Sequence, residues 1–288
     1  MLIIYNNKMS VARNPNLGPS QIRARRRRLF FVRFFIILFF LLVIILSLAI
    51  LSGHEKVKIK NIVILNNAAV SSSDILAIVN RDITGRYLYL FSKSNSLIFP
   101  RFKIRDDLLS ELKAIKDVNI SFEDWQKISI SVEERKPHSV WCGVDVKAVE
   151  PQCFFVDKEG YIYSQAPTFS GSVYVKDYGS PLLMNASTSD PIGHYFLSKD
   201  VYSQIYNFIQ ILDQNNLKVI SLSFDGFDYK LALESGPIII FNNKNDFNLS
   251  FQNLFTAIQT KNLDLINDTN TINYIDLRFD NKIVVGKK

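Results

Sequence analysis

Acidic residues are missing from the whole amino-terminal stretch: the first is Glu55. The same stretch carries Lys8, Arg13, Arg23, Arg25, Arg26, Arg27, Arg28 and Arg33. Cysteine is scarce too, with only Cys142 and Cys153. Two are too few for a disulfide-framed scaffold. In an oxidising compartment they could pair across adjacent strands, or they could stay as two buried thiols. No His or further Cys stands at ligand spacing from them, so no metal site is expected. The three histidines, His54, His138 and His194, lie far apart and in no recognisable motif. Gly-x-Ser-x-Gly, P-loop, His-Glu-x-x-His and Asp-x-Asp patterns are all absent. A catalytic constellation and a cofactor are therefore not expected.

What is abundant is apolar sequence in one place. Phe34 to Leu51 reads FFIILFFLLVIILSLAIL, long enough to cross a bilayer core as a helix. Basic residues are retained on the cytoplasmic side of a span. The expected topology has a cytoplasmic arm (1–28), a single transmembrane helix (29–52) and everything later outside the cell or inner membrane. Ser47-Leu48-Ala49 is a weak cleavage site, so the helix reads as an uncleaved anchor. Seven of the 34 Lys and Arg residues belong to the arm and an eighth, Arg33, to the start of the span, which leaves 26 against 27 Asp and Glu. The remainder is close to neutral and has no basic stripe for nucleic acid. The arm itself suits anionic lipid heads.

Beyond the span, Lys56 to Leu65 (KVKIKNIVIL) reads as a strand. Ser71-Ser72-Ser73-Asp74 supplies N-cap chemistry for a short apolar helix. A second helix follows Pro100, with Ile104, Leu108, Leu112 and Ile115 at helical spacing. Asp106 and Asp107 fall on its solvated face. Val118 to Phe122 and Lys127 to Glu134 alternate as a half-buried hairpin, with Ile128, Ile130 and Val132 inward. Glu133 and Glu134 flank its end. The order strand, helix, helix, strand, strand fills 55–136. A second domain, 137–288, is dominated by strands: Ser139–Val146, Cys153–Asp157, Tyr161–Tyr163 and Gly171–Val175. A helix with a Val201, Ile205, Phe208, Ile209, Leu212 stripe follows. Leu217–Phe224 and Tyr229–Leu233 flank Asp225-Gly226 as a hairpin. Then come a strand at Pro237–Phe241, a helix with Phe251, Leu254, Phe255 and Ile258, and a final alternating stretch, Ile275 to Asp280, followed by Ile283–Val285. The fold class is α+β, with a mainly antiparallel sheet.

Several local stretches carry a resemblance, in order. Ser131-Val132-Glu133-Glu134-Arg135-Lys136-Pro137-His138-Ser139-Val140-Trp141 and Phe155-Val156-Asp157-Lys158-Glu159-Gly160-Tyr161-Ile162-Tyr163 are two of them. Tyr274-Ile275-Asp276-Leu277-Arg278-Phe279, a YxDLR pattern, is the most specific. Together with the basic arm and single span, these resemble the FtsQ/DivIB family of bacterial cell-division proteins. The resemblance implies a membrane-proximal POTRA domain and a β-rich domain with a partner-binding terminal strand. It also implies a non-enzymatic divisome scaffold at the division septum, which regulates septal peptidoglycan synthesis. The implied partners are FtsB/DivIC-like and FtsL-like bitopic proteins.

The expected partner site is Arg278, Phe279, Asp280, Asn281, Ile283, Val284 and Val285. A terminal strand at a sheet edge offers unpaired N–H and C=O groups to an incoming strand. Phe279 would be an apolar anchor and Arg278 a selector of a partner carboxylate, unless the strand is internal and Arg278 sits in a local salt bridge. Two other classes compete. A type II membrane glycosyltransferase fits the topology and the four Asn-x-Ser/Thr triplets at Asn119, Asn185, Asn248 and Asn267, but lacks an Asp-x-Asp metal site. A POTRA-bearing translocation factor would carry repeated units or a β-barrel.

Overall fold

A computed structural model of the chain describes residues 19–146, 152–169, 171–182, 190–242, 247–260, 271–279 and 282–288. Its contacts divide it into two units. One comprises the described part of Met1–Asn61 with Asp82–Pro100 and Phe122–Ile128; the other comprises Ile62–Arg81, Arg101–Ser121 and the described part of Ser129–Lys288.

The first unit is built on α1 (Pro19–Ser52), a 34-residue helix. Pro at the first helical position suits the start, because its missing N–H would be unpaired there anyway. At about 1.5 Å per residue the helix is ~50 Å long, and its Arg26–Ser52 portion is long and apolar enough to cross a membrane. Its apolar side chains from Leu29 to Leu51 are almost all exposed among the described residues. The helix extends further back than the expected 29–52, into the basic arm. A single 3-10 turn follows (Glu55–Val57), with His54 at its start accepting from Lys56 N–H at 3.2 Å. The same unit holds a small hairpin, β2 (Arg86–Tyr87) and β3 (Phe91–Ser92).

The second unit holds one complete sheet and most of a smaller one. The smaller joins β1 (Asn61–Leu65), β5 (Lys127–Glu134) and β4 (Ile115–Asp124), in that spatial order. Along β5, Ile128, Ile130 and Val132 are buried, as a period of two requires. The accompanying helices are α2 (Ser72–Ile83) and α3 (Arg101–Glu111). Ile104 and Leu108 are buried on α3. The expected helical run to Ile115 stops short: Ile115 opens β4, so its burial belongs to a strand. The first strand is likewise shorter than Lys56–Leu65, because Val57 lies in the 3-10 turn. Glu134 closes the end of β5. Its carboxylate accepts from the N–H groups of Ala68, Ala69 and Val70 at 2.8–2.9 Å, which holds the chain just ahead of α2.

The larger sheet has nine strands in the order β14-β13-β12-β11-β10-β9-β6-β7-β8. They are β6 (Ser139–Trp141), β7 (Phe154–Val156), β8 (Ile162–Gln165), β9 (Lys176–Tyr178), β10 (Val219–Phe224), β11 (Asp228–Leu233), β12 (Ile238–Asn242), β13 (Ile272–Asp276) and β14 (Val284–Lys287). Most joins are antiparallel; β6–β9, β9–β10 and β12–β13 are parallel. Parallel neighbours need a crossover rather than a tight turn. Accordingly α4 (Lys199–Gln214) lies between β9 and β10 in sequence, and α5 (Phe247–Gln259) between β12 and β13. Both helices bury their stripes against one face: Ile205, Phe208 and Leu212, with Phe251 and Leu254, meet Leu222, Leu231, Ile239, Phe241 and Ile275. Trp141 points to this core. Its neighbours Val140 and Cys142 point the other way, into a smaller cluster with Ala166 and Tyr178. Cys142 and Cys153 form a disulfide there, beside the antiparallel β6–β7 pair.

Two strand expectations need correcting. Ser139–Val146 ends at Trp141, because Gly143 turns the chain with φ +105°. Gly171–Val175 is bends, and the strand is Lys176–Tyr178.

Candidate functional site

β14 is the outermost strand of the larger sheet and pairs only with β13 among the described residues. Its backbone phase can be read from its neighbours. Lys288 N–H donates to Thr271 O at 2.9 Å, while Leu277 N–H donates to Ile240 O at 2.8 Å on the far side of β13. Alternation along a ladder then directs Val284 and Gly286 toward β13 and turns the N–H and C=O of Val285 and Lys287 outward. No described strand lies beyond them. The opposite edge differs. Ile162 of β8 donates to His194 O, and Gly193 donates back to Ile162 O, so that strand is already capped.

The expected site residues divide between positions. Ile283 packs against the main core. Val284 is half-buried and Val285 exposed. Phe279 is 44% exposed, with the Lys282 ammonium 4.8 Å from its ring centre. Asp280 and Asn281 lie outside the described residues. Arg278 sits in a local salt bridge. Its guanidinium meets Asp276 at 2.6 and 2.9 Å and Asp228 of β11 at 2.7 Å. Burial alone would raise the Asp276 carboxyl, but the Arg278 contacts outweigh it and hold the group below the usual carboxylate range. Asp276 in turn raises the Arg278 guanidinium. The YxDLR stretch therefore does two things. Tyr274 to Asp276 run inside the sheet on β13, and Arg278 clamps the exit of that strand to β11.

Gly286 has a local role in the edge. It faces Tyr274 across the ladder, and a Cβ placed there would lie 2.1 Å from the Tyr274 ring. The ring occupies the space above the glycine, covering an otherwise bare stretch of backbone.

Sequence reasoning missed a buried polar cluster beneath α4. Asp177, in the middle of β9, is fully buried. It accepts from Ser139 Oγ at 2.5 Å and from Tyr206 Oη at 2.7 Å, and the Ser139 and Tyr202 hydroxyls are 2.8 Å apart. Burial pushes the Asp177 carboxyl up to about 7, although the three hydroxyls pull the other way. The His138 ring lies tilted against the Tyr206 ring, with centroids 4.7 Å apart, and burial lowers its imidazole. His138 and Tyr206 also line a cleft of about 620 Å³ with Lys158, Ser203, Asp213 and Lys218. The hydroxyls and Asp177 themselves are closed off from solvent, so this cluster ties β6, β9 and α4 together as a structural network. Nothing local in the sequence signals it, because Asp177 stands in a polar pair with no strand periodicity.

The two longer resemblance stretches meet in space. The Arg135 guanidinium forms an ion pair with buried Asp157 and lies 4.0 Å over the Tyr161 ring. Asp157 also accepts from the N–H groups of Glu159 and Tyr161. Lys116 of β4 and Lys199 of α4 both reach Glu159. These contacts join the smaller sheet to the larger one through the 135–161 region. Among the described residues, no three His, Cys, Asp or Glu side chains gather at metal-binding spacing.

No protein-family model and no curated protein matches this chain.

Proposed function

We propose that the chain is a non-enzymatic, single-pass membrane scaffold of the FtsQ/DivIB kind, which captures a bitopic partner by accepting its strand at β14. The observation that carries this reading is the outward main chain of Val285 and Lys287 on an edge of the nine-stranded sheet that no described strand covers. An added strand gains affinity from main-chain bonds and register from alternate side chains. Val285 and Phe279 supply exposed apolar contacts next to that edge. Arg278, bound to Asp276 and Asp228, serves by fixing the approach to β14.

The cellular setting follows from the sequence resemblance. The amino terminus lies in the cytoplasm, the smaller sheet with its helices is a POTRA domain next to the membrane, and the larger sheet displays the partner site outside. The partners are FtsB/DivIC-like and FtsL-like proteins at the septum. α1 supports the tether, being long and apolar enough to cross the bilayer.

The test is Val285→Pro. The Val285 N–H points away from β13, so proline removes an outward donor and leaves the β13–β14 bonds in place; edge positions of this kind tolerate it. Capture of the FtsB/DivIC-like partner from native membranes should be lost while the melting profile is retained. Full capture by this variant would refute strand addition at β14.

A further inference from the structure

The first unit carries a second apolar feature that the scaffold reading does not use. Ser52, the last residue of α1, is buried because the segment after the β2–β3 hairpin folds onto it. Its hydroxyl accepts from Ser92 N–H at 3.2 Å, and its carbonyl accepts from Asn95 Nδ2 at 3.1 Å. The same segment then runs beside the chain leaving α1, with Ile59 N–H donating to Ser94 O and Ser96 N–H to Val57 O.

These bonds fix a direction. Ser94 lies level with Ile59, beyond the helix end, and Ser92 lies level with Ser52. Continuing backward through Phe91 takes the hairpin tip alongside the last turns of α1. Only Phe91 separates Ser92 from the Leu88–Leu90 turn, so Tyr89 stands three residues from Ser92, at most about 10 Å along the chain. At that tip stand Leu88 and Tyr89, 85% and 94% exposed. Both have positive φ, +47° and +62°, a left-handed region that bulky residues rarely adopt. A bulky apolar pair in this backbone region is strained, and here it is held outward with no described residue over it. Leu90, Leu97 and Ile98 are exposed in the same unit. So are Phe122 and Trp125, in edge-to-face contact at the β4–β5 turn, which is fastened to the start of the 3-10 turn by Gln126 Nε2 donating to Glu55 O at 2.7 Å. Arg86 and Lys56 are exposed nearby, and the Lys93 ammonium lies 5.7 Å from the Tyr87 ring centre. The nearby acids are partly neutralised: Glu55 pairs with Lys58 and Lys60, and Glu123 with Lys127, which leaves Asp124, while Asp82 is buried.

We propose that this unit is a membrane-interface foot, in which the Leu88-Tyr89-Leu90 tip inserts into the headgroup and acyl boundary of the bilayer that α1 crosses. The occupant is lipid rather than a protein because the tip is continuous with the exposed apolar surface of α1. The aromatic and basic flanks also match what that boundary accepts. The foot fixes the attitude of the first unit on the membrane. It rests on the single-span reading of α1.

The test uses the full chain in phosphatidylcholine–phosphatidylglycerol vesicles, with Tyr89→Trp on a Trp125→Phe background. Tyr89 is almost wholly exposed, so the exchange leaves the fold alone. Emission of the added tryptophan is taken as the difference from the Trp125→Phe chain. In lipid brominated near the headgroups it should be roughly halved, and it should shift to shorter wavelength, as a depth of 5–10 Å requires. An unquenched tryptophan in chain that floats with the vesicles after an alkaline carbonate wash would overturn the foot and leave the anchor standing. That result would mean the tip is free or awaits a protein. Chain that fails to float would overturn the anchor, and the foot with it.

Discussion

Replacing Asp177 with asparagine should flatten one part of the pH dependence of stability. The carboxyl is pushed up to about 7 in the folded chain by burial, whereas an unfolded chain titrates near ~3.9. The folded state therefore binds this proton more tightly than the unfolded one. The contribution to stability is complete below the unfolded value and is lost as pH rises from about 4 to about 7. Between about pH 5 and about pH 8, linkage gives a loss on the order of 2–3 kcal/mol from this group alone. Asparagine cannot ionise, yet its Oδ1 can still accept from Tyr206 and its Nδ2 can donate to Ser139, the pattern of the protonated acid. Urea unfolding of both full-length chains in non-ionic detergent, each carrying Trp125→Phe so that the tryptophan emission is that of Trp141 alone, supplies the comparison. Trp141 is buried on β6 two residues from Ser139. All other titrating groups, His138 included, are common to both chains and cancel in the difference. The parent should lose ~2–3 kcal/mol relative to Asp177→Asn over that range. Parallel curves would show that Asp177 is not held protonated by burial, and the description of the cluster would be wrong.

Arg278→Ala removes the partner of a buried carboxylate. At neutral pH it should destabilise by about 1–3 kcal/mol. Because Asp276 is held below its ordinary value, its contribution is present above about pH 4 and lost as pH falls through the lowered folded value, so the gap between the two chains should close in acid. Equal denaturation midpoints at neutral pH would count against the clamp. Gly286→Val drives a side chain into the Tyr274 ring. An overpacking cost on the order of 1–3 kcal/mol is expected, with faster amide exchange confined to β13 and β14; an unchanged exchange pattern would contradict the close approach.

Much of the architecture is legible in the sequence. The Val201–Leu212 stripe and the β5 alternation repeat with the period of their elements, and Asp225-Gly226 carries turn chemistry, so local pattern suffices. Two failures have a common cause. β9 is three residues long and holds Lys176 and Asp177, so nothing local marks it as a strand. Its polar pair is acceptable only because Ser139, Tyr202 and Tyr206, distant in sequence, bring hydroxyls to Asp177. The terminal segment was read as one alternating run from Ile275 to Asp280. The chain instead leaves β13 after Asp276, where Arg278 reaches back to bind that residue and across to Asp228. Neither contact leaves a periodic trace. The helical reading of Leu112 and Ile115 failed differently: apolar residues spaced for a helix also served as the start of β4.

The central claim is that the outward main chain of β14 is completed by a partner strand. Residue-resolved amide exchange with and without the FtsB/DivIC-like partner addresses it directly. The account predicts fast exchange at Val285 and Lys287 in the free chain and strong protection of both in the complex, with Val284 and Gly286 slow throughout. Binding at full strength while Val285 and Lys287 still exchange freely would contradict it.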